Sequence, residues 1–341
     1  MRIGVVTTRA HGESAGGAER FFDALIHALH DLGHEVHEVA VEADEPNFEQ
    51  IKRNYLTCYD LDLSRFDIVV STKAPTWMLR HDRHVCYLVH TIRVFYDMFE
   101  EVFGAHPAAE YLEQRNLIHK LDTGGLSTPR CKAVFTIGNE VSRRLREFNG
   151  IDAESIHPPL WGADFHEGDM GDYLFLPGRL HPWKRVDLII RAMRHVRSDL
   201  KLRIAGTGES ERDLRALASD DARIQFLGRI DDEQLRLEYA GCLAVPFAPK
   251  REDYGYVTLE AFASGKPVIT CSDSGEAATI VKHGETGLVC VPDERSIAQA
   301  IEQLAGDRDC AKAMGAKWKA WVDGLSWDNV ARRLVDAAMA E

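Results

Sequence analysis

The 341-residue sequence has no apolar run approaching the 18 or so residues that a membrane-spanning helix needs, so no span is expected. Met1 to Thr8 form one strand-like run with a single charge, and no signal peptide is expected either. No two cysteines stand at CxxC spacing. The seven, Cys58, Cys86, Cys131, Cys242, Cys271, Cys290 and Cys310, are odd in number and scattered, several within apolar runs. That usage fits buried free thiols in a reducing cytosol, not a disulfide framework. Long basic blocks are missing too, and the formal net charge is −13, with the acidity concentrated in the first half. Nucleic acid and broad anionic membrane surfaces are therefore poor partners. Arg143, Arg144 and Arg146 share a predicted helix and read as a solvated face, with contact to a charged surface as the alternative. The 15 histidines form no HExxH or Cys/His ligand set, and no Gly-x-Ser-x-Gly nucleophile turn occurs. Asp60-Leu61-Asp62 has metal-pair spacing but lies in a Tyr/Leu-rich segment, and no metal site is assigned to it.

What is present is 45% hydrophobic and 28% charged residues, the profile of a soluble globular enzyme, in a chain long enough for two cores. Ile3 to Thr7 reads as a buried strand, Arg9 to Gly17 as a polar loop and Ala18 to Leu32 as an amphipathic helix. Val36 to Val41 then resumes strand character, completing a β-α-β unit. Short apolar runs at Ile68 to Ser71, Val85 to Val89 and Ala133 to Ile137 extend a parallel sheet. The pattern breaks at His157-Pro158-Pro159-Leu160-Trp161-Gly162, where a linker is expected. A second alternating series follows: strands at Tyr173 to Leu176, Leu202 to Ala205, Ile224 to Leu227, Leu243 to Pro246, Val268 to Thr270 and Gly287 to Val291. Its helices are predicted from about Lys184 to Val196, Ser210 to Ala218, Asp232 to Ala240 and Val257 to Ser264. Two Rossmann-like domains in tandem account for this order. Ligands are then expected at the C-terminal edges of the strands.

The loops at those edges carry the chemistry. Glu252-Asp253-Tyr254-Gly255-Tyr256-Val257-Thr258-Leu259-Glu260 sets two glutamates around a Gly-containing turn that opens a helix. Backbone N–H groups from Tyr254 to Val257 suit an anion or a sugar hydroxyl, and a carboxylate can accept two hydrogen bonds from a ribose diol. This stretch resembles the C-terminal domain of retaining glycosyltransferases of family 4, which have the GT-B fold. Their mark is Glu, seven residues, Glu, with an aromatic-Gly pair inside. The resemblance implies that Glu252 contacts the donor sugar and that Glu260 binds the nucleotide ribose.

Leu176-Pro177-Gly178-Arg179-Leu180-His181-Pro182-Trp183-Lys184-Arg185 matches a second piece of that family. Arg179 and Lys184, five apart at a strand edge, can both reach one diphosphate and neutralise charge on the leaving nucleotide. Where the family often has Gly after the lysine, this chain has Arg185. Gly206 and Gly208 form a Gly-rich turn where backbone can approach a nucleotide, and Arg229 falls near the expected base pocket. Gly16 and Gly17 start the first helix and suit a diphosphate at its N-terminus. His90 ends a strand in the position where relatives contact the donor sugar.

The resemblance thus implies an α/β GT-B chain of two Rossmann-like domains facing a central cleft. Residues 1–160 would bind the acceptor and 161–323 the nucleotide sugar, and a helix over 324–341 would pack back on the first domain. It implies a metal-independent, retaining hexosyltransferase with no cofactor beyond its nucleotide diphosphate sugar donor, GDP-mannose types ahead of UDP sugars. The acceptor is expected to be a saccharide or lipid-linked saccharide of bacterial surface polysaccharide synthesis, used in the cytoplasm or at the inner face of the membrane. Ser71 to Met78 and Phe95 to Phe99 either line its site or belong to core and loop. A natural-product transferase with a soluble acceptor, a nucleotide-sugar epimerase of the same architecture and a silent binding module are the other readings.

Overall fold

A computed structural model of the chain describes residues 1–9, 17–160, 162 and 164–340. The chain forms two compact units, Met1–Trp161 with Leu325–Glu341, and Gly162–Gly324.

The first unit is built on a six-stranded sheet in the order β2-β1-β3-β4-β5-β6, every neighbouring pair parallel. Its strands are β1 (Arg2–Arg9), β2 (Glu35–Glu42), β3 (Ile68–Ser71), β4 (His84–Leu88), β5 (Ala133–Thr136) and β6 (Glu154–Ser155). β3 and β4 are buried along their whole length, as continuous apolar runs covered on both faces must be. β2, at the sheet edge, is largely exposed or half-exposed. The helices are α1 (Gly17–Asp31), α2 (Phe48–Tyr59), α3 (Phe99–Phe103), α4 (Ala109–Leu126) and α5 (Asn139–Asn149). α1 buries Phe21, Phe22, Leu25 and Leu29, the residues at helical spacing.

The second unit has strands β7 (Tyr173–Pro177), β8 (Lys201–Ala205), β9 (Ile224–Gly228), β10 (Val245–Pro246), β11 (Val268–Cys271) and β12 (Gly287–Cys290). They form two parallel triplets, β7-β8-β9 and β10-β11-β12. Backbone bonds from Leu243 N to Tyr173 O (2.8 Å) and Phe175 N to Ala244 O (3.2 Å) stitch the triplets together alongside β7. The combined order is β9-β8-β7-β10-β11-β12, which reverses direction between β7 and β10. Ligands of open parallel sheets sit at such a reversal, beyond the C-terminal strand ends. The helices are α6 (Val186–Met193), α7 (Glu211–Leu217), α8 (Asp232–Gly241), α9 (Tyr256–Ala263), α10 (Glu276–Ile280), α11 (Glu294–Gly306), α12 (Arg308–Ala316) and α13 (Lys319–Asp323). Leu174, Leu176, Ile189, Ile190, Leu202, Ile204, Ile269, Ile297 and Ile301 form the centre of its core. The final helix, α14 (Trp327–Met339), belongs to the first unit; Ser326 Oγ caps it by accepting from Asn329 N (3.3 Å). Trp327 and Leu334 are buried there, Trp327 with its ring 5.6 Å from Phe21.

Two sequence expectations need correction. The helix predicted from Lys184 is a 3-10 turn (Pro182–Lys184) followed by α6, because Arg185 between them is left-handed, with φ 49°. Arg144 is not on a solvated face. It is fully buried on Asp97, with Nε 2.9 Å from Oδ1, and Arg93 reaches the same carboxylate at 2.8 Å. Arg143 pairs with Glu140 and Glu147, and Arg146 with Asp152, so the run presents no unbalanced positive charge. Phe95, Tyr96, Met98 and Phe99 are core, as are Ala74 and Trp77, the second of the two placements the sequence left open for these segments. All seven cysteines are free and six are buried. Burial pushes the thiols of Cys58, Cys131, Cys242 and Cys271 up to about 12, which leaves them unreactive at neutral pH.

Asp122 on α4 ties the first unit together. Its carboxylate accepts from Tyr55 Oη (2.6 Å), Tyr96 Oη (2.6 Å) and Trp77 Nε1 (2.9 Å), joining α2, the loop after β3 and the turn after β4. All three donors are neutral, so no positive charge offsets the burial, and desolvation raises the Asp122 carboxyl from 3.8 to about 6. Between these values the folded protein holds a proton that the unfolded chain has released. Stability from this group therefore falls as pH rises from about 4 to about 6, by about 3 kcal/mol, and is level above that. Asp122→Asn is expected to lack this slope. Urea unfolding of both proteins from pH 4.5 to 7.5 checks it: a stability difference that does not change with pH would show that Asp122 does not titrate in this range.

Candidate active site

The loops after β7, β8 and β9 are laced together by backbone bonds that continue past the strand ends. Gly178 N donates to Ala205 O (3.0 Å), Leu180 N to Thr207 O (2.9 Å) and Gly206 N to Gly228 O (2.7 Å). The approach is close enough that a Cβ on Gly206 would stand 2.0 Å from Gly178 O, and one on Gly208 would stand 2.4 Å from Leu180 O. Only glycine fits either place. The packing brings Arg179, Gly206, Gly208 and Arg229 to one edge of the second unit. Arg179 and Arg229 are exposed there, Arg179 with Nε 3.7 Å from Glu209 Oε2.

Lys184 stands at the same edge, carried by the 3-10 turn. His181 Nδ1 accepts from Trp183 N (3.0 Å), and Lys250 N donates to Trp183 O (2.7 Å). Arg185 then takes the left-handed conformation that glycine usually supplies. Strain of about 1 kcal/mol is expected for such a residue, and the side chain offsets it with hydrogen bonds. Its guanidinium forks onto Asp273 (2.8 and 2.6 Å) and donates to Ala248 O and Pro249 O (2.7 and 2.8 Å). The substitution that looked like a departure in sequence is thus an anchor, tying the lysine turn to the loops after β10 and β11.

Lys184 Nζ lies 2.8 Å from Glu252 Oε1 and 2.7 Å from Oε2, a two-oxygen contact over the ring of Phe247. The Glu252 backbone is gripped by the loop after β11: its N–H donates to Ser274 O (3.2 Å) and its carbonyl accepts from Glu276 N (2.9 Å). A Cβ on Gly275 would stand 2.4 Å from Glu252 O.

Gly255, with φ 77°, opens α9. Tyr254 is buried, so it offers the site backbone and not its ring, whereas Tyr256 and Val257 in the first turn are half-buried. Their N–H groups have no partner within the helix, as at any helix start. Glu260 is the fifth residue of α9, and its Oε2 accepts from Tyr239 Oη on α8 at 2.6 Å. Tyr239 and Asp273 were not singled out from sequence, and Arg185 was noted only as a departure from the family's glycine. Their parts depend on contacts across the chain, from Glu260 back to α8 and from Arg185 on to the loop after β11, and no local spacing signals them.

In the first unit, Gly17 opens α1, and Gly16 lies outside the described residues. His90 follows β4 and is half-buried, with Nδ1 2.9 Å from Thr91 O. A concavity of about 1030 Å³ lies at the opposite, N-terminal ends of β3 to β5, lined by Asp60, Asp62, Arg80, Arg83 and Lys132. Asp62 there is occupied by its own turn, accepting from Ser64 N (3.1 Å) and Oγ (2.7 Å). Among the described residues no group of three or more His, Cys, Asp or Glu is arranged to hold a metal.

Residues 164–321, nearly the whole second unit, match the family described as glycosyl transferases group 1. The matched segment is a little under half of the chain. The chain is 38% identical over 211 residues to a GDP-mannose-dependent alpha-(1-6)-phosphatidylinositol monomannoside mannosyltransferase of Mycobacterium tuberculosis, covering 55% of this chain and 53% of the relative. It is 34% identical over 256 residues to a GDP-mannose-dependent monoacylated alpha-(1-6)-phosphatidylinositol monomannoside mannosyltransferase of Corynebacterium glutamicum, covering 71% and 59%. The match thus spans a little over half the length of these relatives. Sucrose-phosphate synthase from Thermosynechococcus elongatus has the same fold, with TM-score 0.75 and 18% identity over 98% of this chain and 97% of its own. The fold is therefore GT-B, as the sequence implied.

The grip of Gly275 on Glu252 is open to a direct test. Gly275→Ala is expected to cost about 3 kcal/mol of stability, from overpacking added to left-handed strain. Gly284 has φ 76° with open space around it, so Gly284→Ala should cost only about 1 kcal/mol. Equal losses in chemical denaturation would show that the contact with Glu252 is slack.

Proposed function

We propose that the chain is a retaining hexosyltransferase that moves a sugar, mannose-type from a GDP donor ahead of UDP sugars, to a hydroxyl of a saccharide or lipid-linked saccharide acceptor. One observation carries the reading: Lys184 on both oxygens of Glu252, at the strand-order reversal of the group 1 segment. The names of the two mannosyltransferase relatives favour the GDP-mannose donor.

A carboxylate and a bound diphosphate repel each other, and the repulsion is offset by a cation between them. In the reading proposed here, Lys184 supplies it before the donor arrives, then shares its ammonium with the incoming phosphates. Arg179 is the second cation of that subsite, and its exposure leaves it able to turn toward a ligand. The bond from the anomeric carbon to phosphate oxygen breaks, and its electron pair goes to the diphosphate, where these cations stabilise it. The acceptor oxygen bonds to the same face of the sugar, and its proton passes to a phosphate oxygen of the leaving group. No side chain acts as nucleophile and no metal is called on. Glu252 orients the sugar hydroxyls, Glu260 the ribose. Gly206, Gly208, Arg229 and the first turn of α9 from Gly255 to Val257 line the nucleotide. The roles given to Gly16, Gly17 and His90, of the first unit, rest on the family resemblance alone.

A soluble acceptor is the second reading, favoured by the neutralised arginines of α5, which leave no basic patch there to hold an anionic membrane.

Binding and slow hydrolysis of GDP-mannose, GDP-fucose, UDP-glucose, UDP-galactose and UDP-GlcNAc, in EDTA, test the proposal. One nucleotide is expected to bind selectively and to release free sugar, and Glu252→Ala should abolish the release. Lys184→Ala should lower kcat about 100-fold at saturating donor. Failure of every donor to bind, or binding untouched by Glu252→Ala and Glu260→Ala, would overturn the assignment.

A further inference from the structure

The two cations assigned to the diphosphate each carry an acid of their own, and the two pairs differ. Lys184 is closed onto Glu252 at 2.7 Å and half-buried. Arg179 stands open: its Nε lies 3.7 Å from Glu209 Oε2, with 63% of the arginine side chain and 48% of the glutamate side chain exposed. An exposed pair at that distance holds weakly, so an arriving phosphate can draw the guanidinium away.

Glu209 cannot follow, because it is fixed from behind. His181 Nδ1 accepts from Trp183 N (3.0 Å), which puts a ring proton on Nε2, and Nε2 stands 3.2 Å from Glu209 Oε1. The imidazole also packs edge-on against the Trp183 ring, 5.0 Å between centres. The backbone beside Glu209 is pinned as well: Leu180 N donates to Thr207 O (2.9 Å) and Ser210 N to Leu180 O (3.0 Å).

A carboxylate that stays beside the phosphates repels each nucleotide in proportion to its charge. In the transfer proposed above, the broken bond leaves its electron pair on a phosphate oxygen, and the acceptor's proton goes to the same group. A terminal phosphate gives up that proton to water above pH about 6. The nucleoside diphosphate then carries one negative charge more than the nucleotide sugar it came from.

We infer that Glu209 is a selectivity residue that sets donor above product: its carboxylate penalises the nucleoside diphosphate more than the nucleotide sugar and so clears the site after each transfer. This rests on the reading of Arg179 given above and extends it from holding the donor to releasing the product.

The test measures affinities for GDP-mannose and GDP, and for UDP-glucose and UDP, in EDTA at low salt with the intact chain. The product-to-donor ratio within one variant does not depend on the fraction folded. At pH 8, Glu209→Gln is expected to tighten both ligands of the pair that binds, the diphosphate about 3-fold more than the donor. At pH 5, where the terminal phosphate keeps its proton, the two should tighten alike. Glu209→Asp, which keeps the charge, should stay close to wild type. Equal tightening at pH 8, or weaker binding of both ligands in Glu209→Gln, would overturn the inference. Arg179→Ala, which should weaken both ligands, separates the two readings. If it weakens neither, the place of Arg179 in the diphosphate subsite falls and this inference with it. If it weakens both while Glu209→Gln leaves the ratio unmoved, the inference alone falls.

Discussion

The loops at one edge of the second unit are organised around a single carboxylate, that of Glu252. The ammonium of Lys184 covers both of its oxygens, and neither partner sits on a long regular element that would hold it in place. The surrounding loops do that instead. Arg185 fastens the lysine turn to the loops after β10 and β11, and the stretch from Asp273 to Glu276 grips the backbone on either side of Glu252. The strands set the stage only to the extent that the reversal between β7 and β10 brings these loops to one edge.

The two buried aspartates of the first unit show two ways to settle charge in a protein interior. Asp97 lies between Arg93 and Arg144, so opposite charge meets it on the spot. Asp122 has three neutral donors and no cation, and the result is a carboxyl that clings to its proton. The first arrangement is a network of paired charges. The second is strongest where the acid is neutral, because three aligned hydrogen bonds only partly replace lost hydration.

Much of the fold was legible because parallel strands buried on both faces leave unbroken apolar runs such as Ile68-Val69-Val70, and helices leave a 3-4 repeat such as Phe21, Phe22, Leu25 and Leu29. Of the candidate site, the spacing of Glu252 and Glu260 and the Gly-rich strand ends were visible for the same reason: turns and helix starts are local. What stayed hidden was tertiary. Arg144 looks like a surface residue until Asp97 is seen beside it. Tyr239 looks like one more core aromatic until its hydroxyl meets Glu260. The break after Lys184 was missed because Val186 to Met193 has helical periodicity that extends smoothly backward, and nothing local reports that Arg185 is left-handed.

Arg185 also constrains how this turn can vary between related chains. Its backbone suits a residue without a side chain, whereas its long guanidinium reaches Asp273 and two carbonyls. Glycine gives up the reach and sheds the strain; arginine accepts the strain and gains the reach. A side chain of middling length gets neither benefit. The position is therefore expected to tolerate the smallest amino acid and one of the largest, with a gap between, and a passage from one to the other would have to be made in a single step or alongside a change at Asp273.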